Sequence, residues 1–130
     1  MPESDPTPLQ SPMKSRSGLQ RIWRATGYSW LGLKAAWRHE AAFRQELLLA
    51  IPALALAVWL APGRWQLLAL VASTLLVLIV ELLNSAIEAV ADAVSPELHP
   101  LLGQAKDLGS AAVMGSLLLA VLTWVIVFWP

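Results

Sequence analysis

From Leu108 to Trp129 the chain runs for 22 residues without one charged side chain. A helix of that length is about 33 Å long, enough to cross a hydrocarbon core of about 30 Å. In hydrocarbon a backbone must satisfy its own hydrogen bonds, so the segment is a transmembrane helix. Composition extends the point to the whole chain: 57% of its residues are hydrophobic and only 14% charged, where a soluble domain carries about 25% charge and a disordered chain has few Leu, Ile and Val. Both of those classes are excluded. The absence of cysteine removes disulfides, thiolate metal sites and a thiol nucleophile, and nine basic against nine acidic residues give no bulk attraction to nucleic acid.

Two further apolar runs precede this one. Trp65–Val80 leads into Glu81, but the helical pattern continues through Leu82, Leu83, Ala86, Ile87, Ala89 and Val90. Leu47–Ala61 is only about 22 Å long as a helix, so it spans if residues 41–46 belong to it and Arg44 snorkels. Pro52 inside it is expected to kink or loosen the helix. The expected spans are thus 41–61, 65–93 and 107–129. Ala61-Pro62-Gly63-Arg64 forms the first turn, and Ser95-Pro96 with His99-Pro100 breaks the helix before a loop at 92–107. Residues 1–17, with Pro2, Pro6, Pro8 and Pro12, read as a disordered tail, and 18–130 as one membrane domain.

Basic residues set the orientation. Lys14, Arg16, Arg21, Arg24, Lys34, Arg38 and Arg44 precede the first span, Lys106 follows the second, and Arg64 lies between the first two. Positive charge stays cytoplasmic, so the N-terminus and the 92–107 loop face the cytoplasm and the C-terminus faces outside. Between tail and first span, Trp23, Trp30 and Trp37 recur every seven residues with Ile22, Leu33 and Ala36, beside Arg21, Arg24, Lys34 and Arg38. That is the pattern of an amphipathic surface helix over 19–39, either a plain anchor or part of a site.

The chemistry concentrates in the second span. Glu81, Asn84, Ser85, Glu88 and Asp92 stand at i, i+3, i+4, i+7 and i+11, on one helix face. Counted from Trp65, Glu81 lies about 24 Å along the helix, near the inner edge of the hydrocarbon, and Glu88 roughly 10 Å further, among headgroups or cytosol. An ionisable group at span depth costs about 2.5 to 3.5 kcal/mol, so its default reading is functional. Asn84 and Ser85 can instead be interhelical hydrogen-bond glue, worth about 0.6 kcal/mol per contact. Glu40, at the junction of surface helix and first span, is either a second carboxylate for a hard cation or an i+4 partner of Arg44. Glu97, His99, Lys106 and Asp107 lie at the mouth of the stripe, as a solvated loop or as groups for a phosphate and its metal. Ala111 with Gly115 and Ala112 with Ser116 give the third span a spacing for close helix approach.

Tyr28-Ser29-Trp30, Ala35-Ala36-Trp37, Glu40-Ala-Ala-Phe-Arg-Gln-Glu46, Glu81-Leu-Leu-Asn-Ser-Ala-Ile-Glu88-Ala-Val90 and Ala105-Lys106-Asp107-Leu-Gly-Ser-Ala-Ala112 closely resemble the prokaryotic integral membrane diacylglycerol kinase family, from about Gly18 to Trp129. The resemblance implies an all-α homotrimeric bundle with three transmembrane helices and an N-terminal surface helix per subunit. It implies a bacterial inner-membrane enzyme that moves the γ-phosphate of ATP, with Mg²⁺, to diacylglycerol. Glu81 would be the general base, with Asn84 beside it in the catalytic motif, and Glu40 and Glu88 the metal ligands. Arg21, Tyr28, Glu97, His99, Lys106 and Asp107 would join the two metal carboxylates around the nucleotide, and Ser29, Trp30, Arg44 and Gln45 would join Glu81 near the lipid. Gln104 and Leu98 stand where family members often have Arg and an aromatic residue.

Two alternatives accompany this expectation. Undecaprenol kinases share the family, but their first Glu opens Glu-x-Asn-x-Arg, unlike Glu40-Ala-Ala-Phe-Arg44 here. A small oligomeric channel or scaffold would use Glu81 as a lining group but leave Glu88, Lys106 and Asp107 unexplained. No Gly-x-x-x-x-Gly-Lys loop, Gly-rich kinase loop or Asp-Phe-Gly occurs, so nucleotide chemistry would fall to carboxylates of a helix bundle.

Overall fold

The computed structural model describes residues 17–94, 97 and 99–130. Residues 1–16 of the expected tail, including Lys14 and Arg16, and Ser95, Pro96 and Leu98 lie outside the described residues. Every element is an α-helix: α1 Gly18–His39, α2 Ala41–Leu60, α3 Arg64–Val94 and α4 Pro100–Phe128. The last three are long and apolar enough to cross a membrane. The described residues fall into two units, one ending at Lys34 and one running from Ala35 to Pro130.

In the first unit, α1 carries its aromatic and cationic residues in the open. Trp23 is 80% and Trp30 60% exposed, and Lys34 Nζ lies 5.5 Å from the centre of the Trp30 ring one turn away. The helix ends on Arg38 and His39, and the Arg38 guanidinium suits the negative end of the helix dipole.

In the second unit, α3 packs against both α2 and α4. Ala50 and Ala57, seven residues apart on α2, are buried, and their small side chains allow close approach. Leu70, near the start of α3, is fully buried. The face that α3 turns inward changes character along its length, from Leu70, Ser73, Thr74 and Val77 to Glu81, Asn84 and Ala91. α2 runs unbroken through Pro52, and this proline is exposed on the outer side of the helix. Its ring therefore breaks no contact inside the subunit.

The expected loop at 92–107 is shorter than the sequence suggested. α3 runs to Val94 and α4 starts at Pro100, so Lys106 and Asp107 are helical. The reason is a helix start: His99 Nδ1 accepts a hydrogen bond from Leu101 N–H at 3.2 Å, and Pro100 supplies a preset φ where no backbone N–H is needed. With 31 and 29 residues, α3 and α4 are about 46 and 43 Å long. Both exceed the hydrocarbon core, so a two-helix extension projects from it.

α4 is largely exposed on the subunit, burying Gly109 and Ser116. Ala111 and Gly115 are exposed on the subunit, whereas Ser116 is buried and its hydroxyl donates to Val113 O at 2.7 Å. Of the two expected small-residue pairs, Ala111 with Gly115 is open to a neighbour, and the pair of Ala112 with Ser116 turns its serine into its own bundle.

Candidate active site

The polar stripe of α3 faces the subunit interior. Glu81 is 4% exposed and Asn84 9%, while Ser85 and Glu88 are half-buried and Asp92 is exposed. Asn84 Nδ2 donates to Glu88 Oε1 at 3.2 Å, the i+4 contact that the helix spacing allows. That bond orients Glu88. Asn84 Oδ1 and Ser85 Oγ are buried without a hydrogen-bond partner, so neither is used up by simple interhelical bonding.

Glu40 is the one residue between α1 and α2, with φ −109° and ψ 104°, and its side chain makes no cap bond to α2. Its carboxylate is left for other work. The i+4 pairing with Arg44 does not form, because Arg44 turns back across the junction. Its Nη1 donates to Trp37 O at 2.8 Å and to Arg38 O at 3.2 Å, binding carbonyls that the end of α1 leaves without helical partners. Glu40 immediately precedes α2, and Glu81 and Glu88 lie two turns apart on α3, the helix that packs against α2. Among the described residues no group of three or more acidic or histidine side chains is placed to hold a metal ion.

On the two-helix extension, Lys106 Nζ meets Asp92 Oδ1 at 2.6 Å. The pair is largely exposed, with side chains 41% and 67% accessible, so it contributes little to stability. It fixes where the ammonium points. Asp107 is exposed one residue on, and Glu97 is exposed between α3 and α4. His99 uses Nδ1 to cap α4, leaving Nε2 for another partner. In the first unit Arg21, Tyr28, Ser29 and Trp30 are all exposed on α1, and the Ser29 hydroxyl bonds back to Ala25 O at 2.9 Å. Gln45, beside Arg44, is exposed on α2.

Two features were missed in the sequence. Between α2, α3 and α4 lies an apolar cavity of about 380 Å³ whose walls include Leu49, Ala53, Val77 and Leu117, a volume within the range of small-molecule sites. Glu46 lines it, with Oε2 buried and unpartnered. The signal was available, since Glu46 is an ionisable group inside a span. The far wall holds Trp124, whose Nε1 donates to Thr74 Oγ1 at 3.2 Å while that hydroxyl donates to Leu70 O at 2.8 Å. Asp92 as the partner of Lys106 was also missed, because 14 residues and a helix break separate them.

A sequence model described as prokaryotic diacylglycerol kinase matches residues 27–128. The chain is 51% identical to a diacylglycerol kinase of Escherichia coli over 113 residues, 87% of this chain and 93% of that one. It is 52% identical to one of Pseudomonas aeruginosa over 114 residues, 88% and 93% of the two chains. A diacylglycerol kinase of Helicobacter pylori is 42% identical over 118 residues, 89% and 90% of the two. A buried carboxylate on an apolar helix is therefore accompanied by likeness over nearly the whole chain, and the protein belongs to the prokaryotic diacylglycerol kinase family.

Proposed function

We propose that this protein is an ATP- and Mg²⁺-dependent diacylglycerol kinase of a bacterial inner membrane, acting as a homotrimer with its N-terminus in the cytoplasm. The observation that carries this reading is Glu81, 4% exposed on an apolar helix, with Glu88 two turns further along the same helix and held by Asn84. Acidic side chains on a membrane-spanning helix are costly without a task. Lipid phosphorylation supplies one for each.

Mg²⁺ suits this donor set. It takes oxygen ligands, keeps waters, and is usually held by one or two carboxylates plus substrate phosphates, which matches two protein ligands, Glu40 and Glu88. Bound there with ATP, it would neutralise charge on the transferring phosphoryl group. Glu88 is oriented by Asn84, and Glu40 is set by its place between two helices. Lys106, directed by Asp92, and Asp107 would meet the nucleotide from the extension, with Glu97 and His99 at its base. Arg21 and Tyr28 of α1, supplied by this or a neighbouring subunit, would join the nucleotide set that the family resemblance implies.

Glu81 stands at the level where a lipid hydroxyl reaches the inner edge of the hydrocarbon. As general base it takes the hydroxyl proton of diacylglycerol while the hydroxyl oxygen bonds to the γ-phosphorus. The bond from that phosphorus to the β,γ-bridging oxygen breaks, and ADP leaves. Positioning supplies most of the acceleration in such transfers, so Asn84 contributes by holding its neighbours. Ser29, Trp30, Arg44 and Gln45 would guide the lipid. The exposed Trp residues of α1 support a place for that helix at the headgroup level.

Purified protein with labelled ATP, Mg²⁺ and diacylglycerol in mixed micelles is expected to yield labelled phosphatidic acid. Transfer to undecaprenol but not to diacylglycerol would reassign the lipid, and transfer to neither would overturn the reading.

A further inference from the structure

Gly109 is buried on α4, where that helix passes the polar stripe of α3. A β-carbon built on it would overlap Asn84 Oδ1 and lie 3.3 Å from Asn84 Cγ, while Ile87 Cδ1 at 3.7 Å would be an ordinary contact. The amide oxygen of Asn84 therefore fills the space in front of the glycine's α-hydrogen. Buried there, it accepts no hydrogen bond. The other end of the same amide donates to Glu88 Oε1 at 3.2 Å.

The two ends move together. An amide is planar and sits on two torsions, so displacing Oδ1 also swings Nδ2 away from Glu88. Elsewhere on α4 the space is open: a β-carbon on Gly103 or on Gly115 would meet nothing within 4 Å. Only Gly109, of the three glycines on this helix, has a neighbour that a methyl group would displace.

We infer that Gly109 is a positioning residue: its missing side chain lets Asn84 lie between α3 and α4 with its N–H aimed at Glu88, and so fixes the carboxylate that takes the cation. This rests on the reading of Glu88 as a metal ligand. A partner that orients a metal ligand commonly contributes 10- to 100-fold to metal affinity. Gly109→Ala is expected to raise the Mg²⁺ concentration for half-maximal activity about 10-fold, with a smaller change in the KM for diacylglycerol. Gly103→Ala, the same change on the same helix, should leave both unaltered.

Three further readouts separate this inference from its premise and from misfolding. Asn84→Ser adds no bulk but is too short to reach Glu88, so it should reproduce the raised Mg²⁺ requirement even if Gly109→Ala fails to fold. In the Glu88→Gln background, Gly109→Ala should add no further shift in Mg²⁺ requirement. By nitrogen NMR, the Asn84 side-chain amide, assigned by its loss in Asn84→Ser, should move in Gly109→Ala and stay in place in Gly103→Ala. An unmoved amide, or an unchanged Mg²⁺ requirement in both Gly109→Ala and Asn84→Ser while Glu88→Gln shifts it, would overturn the positioning role alone. No shift in Glu88→Gln itself would remove the premise and the inference with it.

Discussion

Arg44 is the residue at which resemblance and geometry assign different work, and replacing it separates them. Its Nη1 binds Trp37 O at 2.8 Å and Arg38 O at 3.2 Å, tying the end of α1 to the start of α2 around Glu40. A hydrogen bond from a charged group is worth about 1.5 to 3 kcal/mol, and partial exposure with one long bond places the pair near the lower figure. Arg44→Met keeps the apolar stem and removes the donors, so the subunit should lose about 1.5 kcal/mol of stability. If all of that energy holds Glu40 in place, metal affinity falls at most about tenfold, since 1.36 kcal/mol is one decade. Unfolding in mixed micelles gives the first quantity, and Mg²⁺ titration at saturating diacylglycerol gives the second. Arg44→Lys, which presents one compact ammonium instead of a fork, should recover part of each. A variant of full stability and ordinary Mg²⁺ dependence, altered only in its KM for diacylglycerol, would refute the bridging role and leave Arg44 with the lipid.

Other expectations are as direct. Glu40→Gln and Glu88→Gln each remove an anionic ligand from a hard cation, so each should raise the Mg²⁺ requirement or abolish turnover; unchanged titrations in both would move the metal elsewhere. Thr74→Val and Trp124→Phe each break the 3.2 Å bond between α3 and α4, and their double-mutant cycle in unfolding should give a coupling of about 0.6 kcal/mol, at most about 1.7; zero coupling would mean that the bond stabilises nothing. With Glu81 of one subunit facing surface-helix residues such as Arg21 of a neighbour in the proposed trimer, inactive Glu81→Gln subunits mixed with inactive Arg21→Ala subunits should regain some activity, because a mixed trimer can hold one site free of both lesions. No recovery in trimers shown to be mixed would place each site within a single chain.

The spans were legible because charge is costly in hydrocarbon and therefore sparse there, and the α3 stripe because 3.6-residue periodicity puts positions 81, 84, 85 and 88 on one face. The helix starts were harder to read. His99-Pro100 reads as a break, yet the same pair caps and opens α4, so Lys106 moves from a loop onto a helix. Glu40 and Arg44 have the spacing of an ion pair, but that spacing brings side chains together only when both residues are helical, and Glu40 is extended. The partner of Lys106 lies on the preceding helix, and the close approach at Gly109 depends on how α3 and α4 pack. Neither has a local signature. Contacts between helices follow from packing, which periodicity does not encode.

The central claim is that a carboxylate buried at the edge of the hydrocarbon takes the proton of a lipid hydroxyl. Glu81→Gln keeps the size and much of the hydrogen bonding of that side chain but cannot accept the proton. General-base catalysis contributes about 10²- to 10⁴-fold, so transfer of labelled phosphate from ATP to diacylglycerol should fall by at least about 100-fold in a variant that folds and assembles like the parent. Turnover near the parent's, in protein of unchanged assembly, would contradict the account.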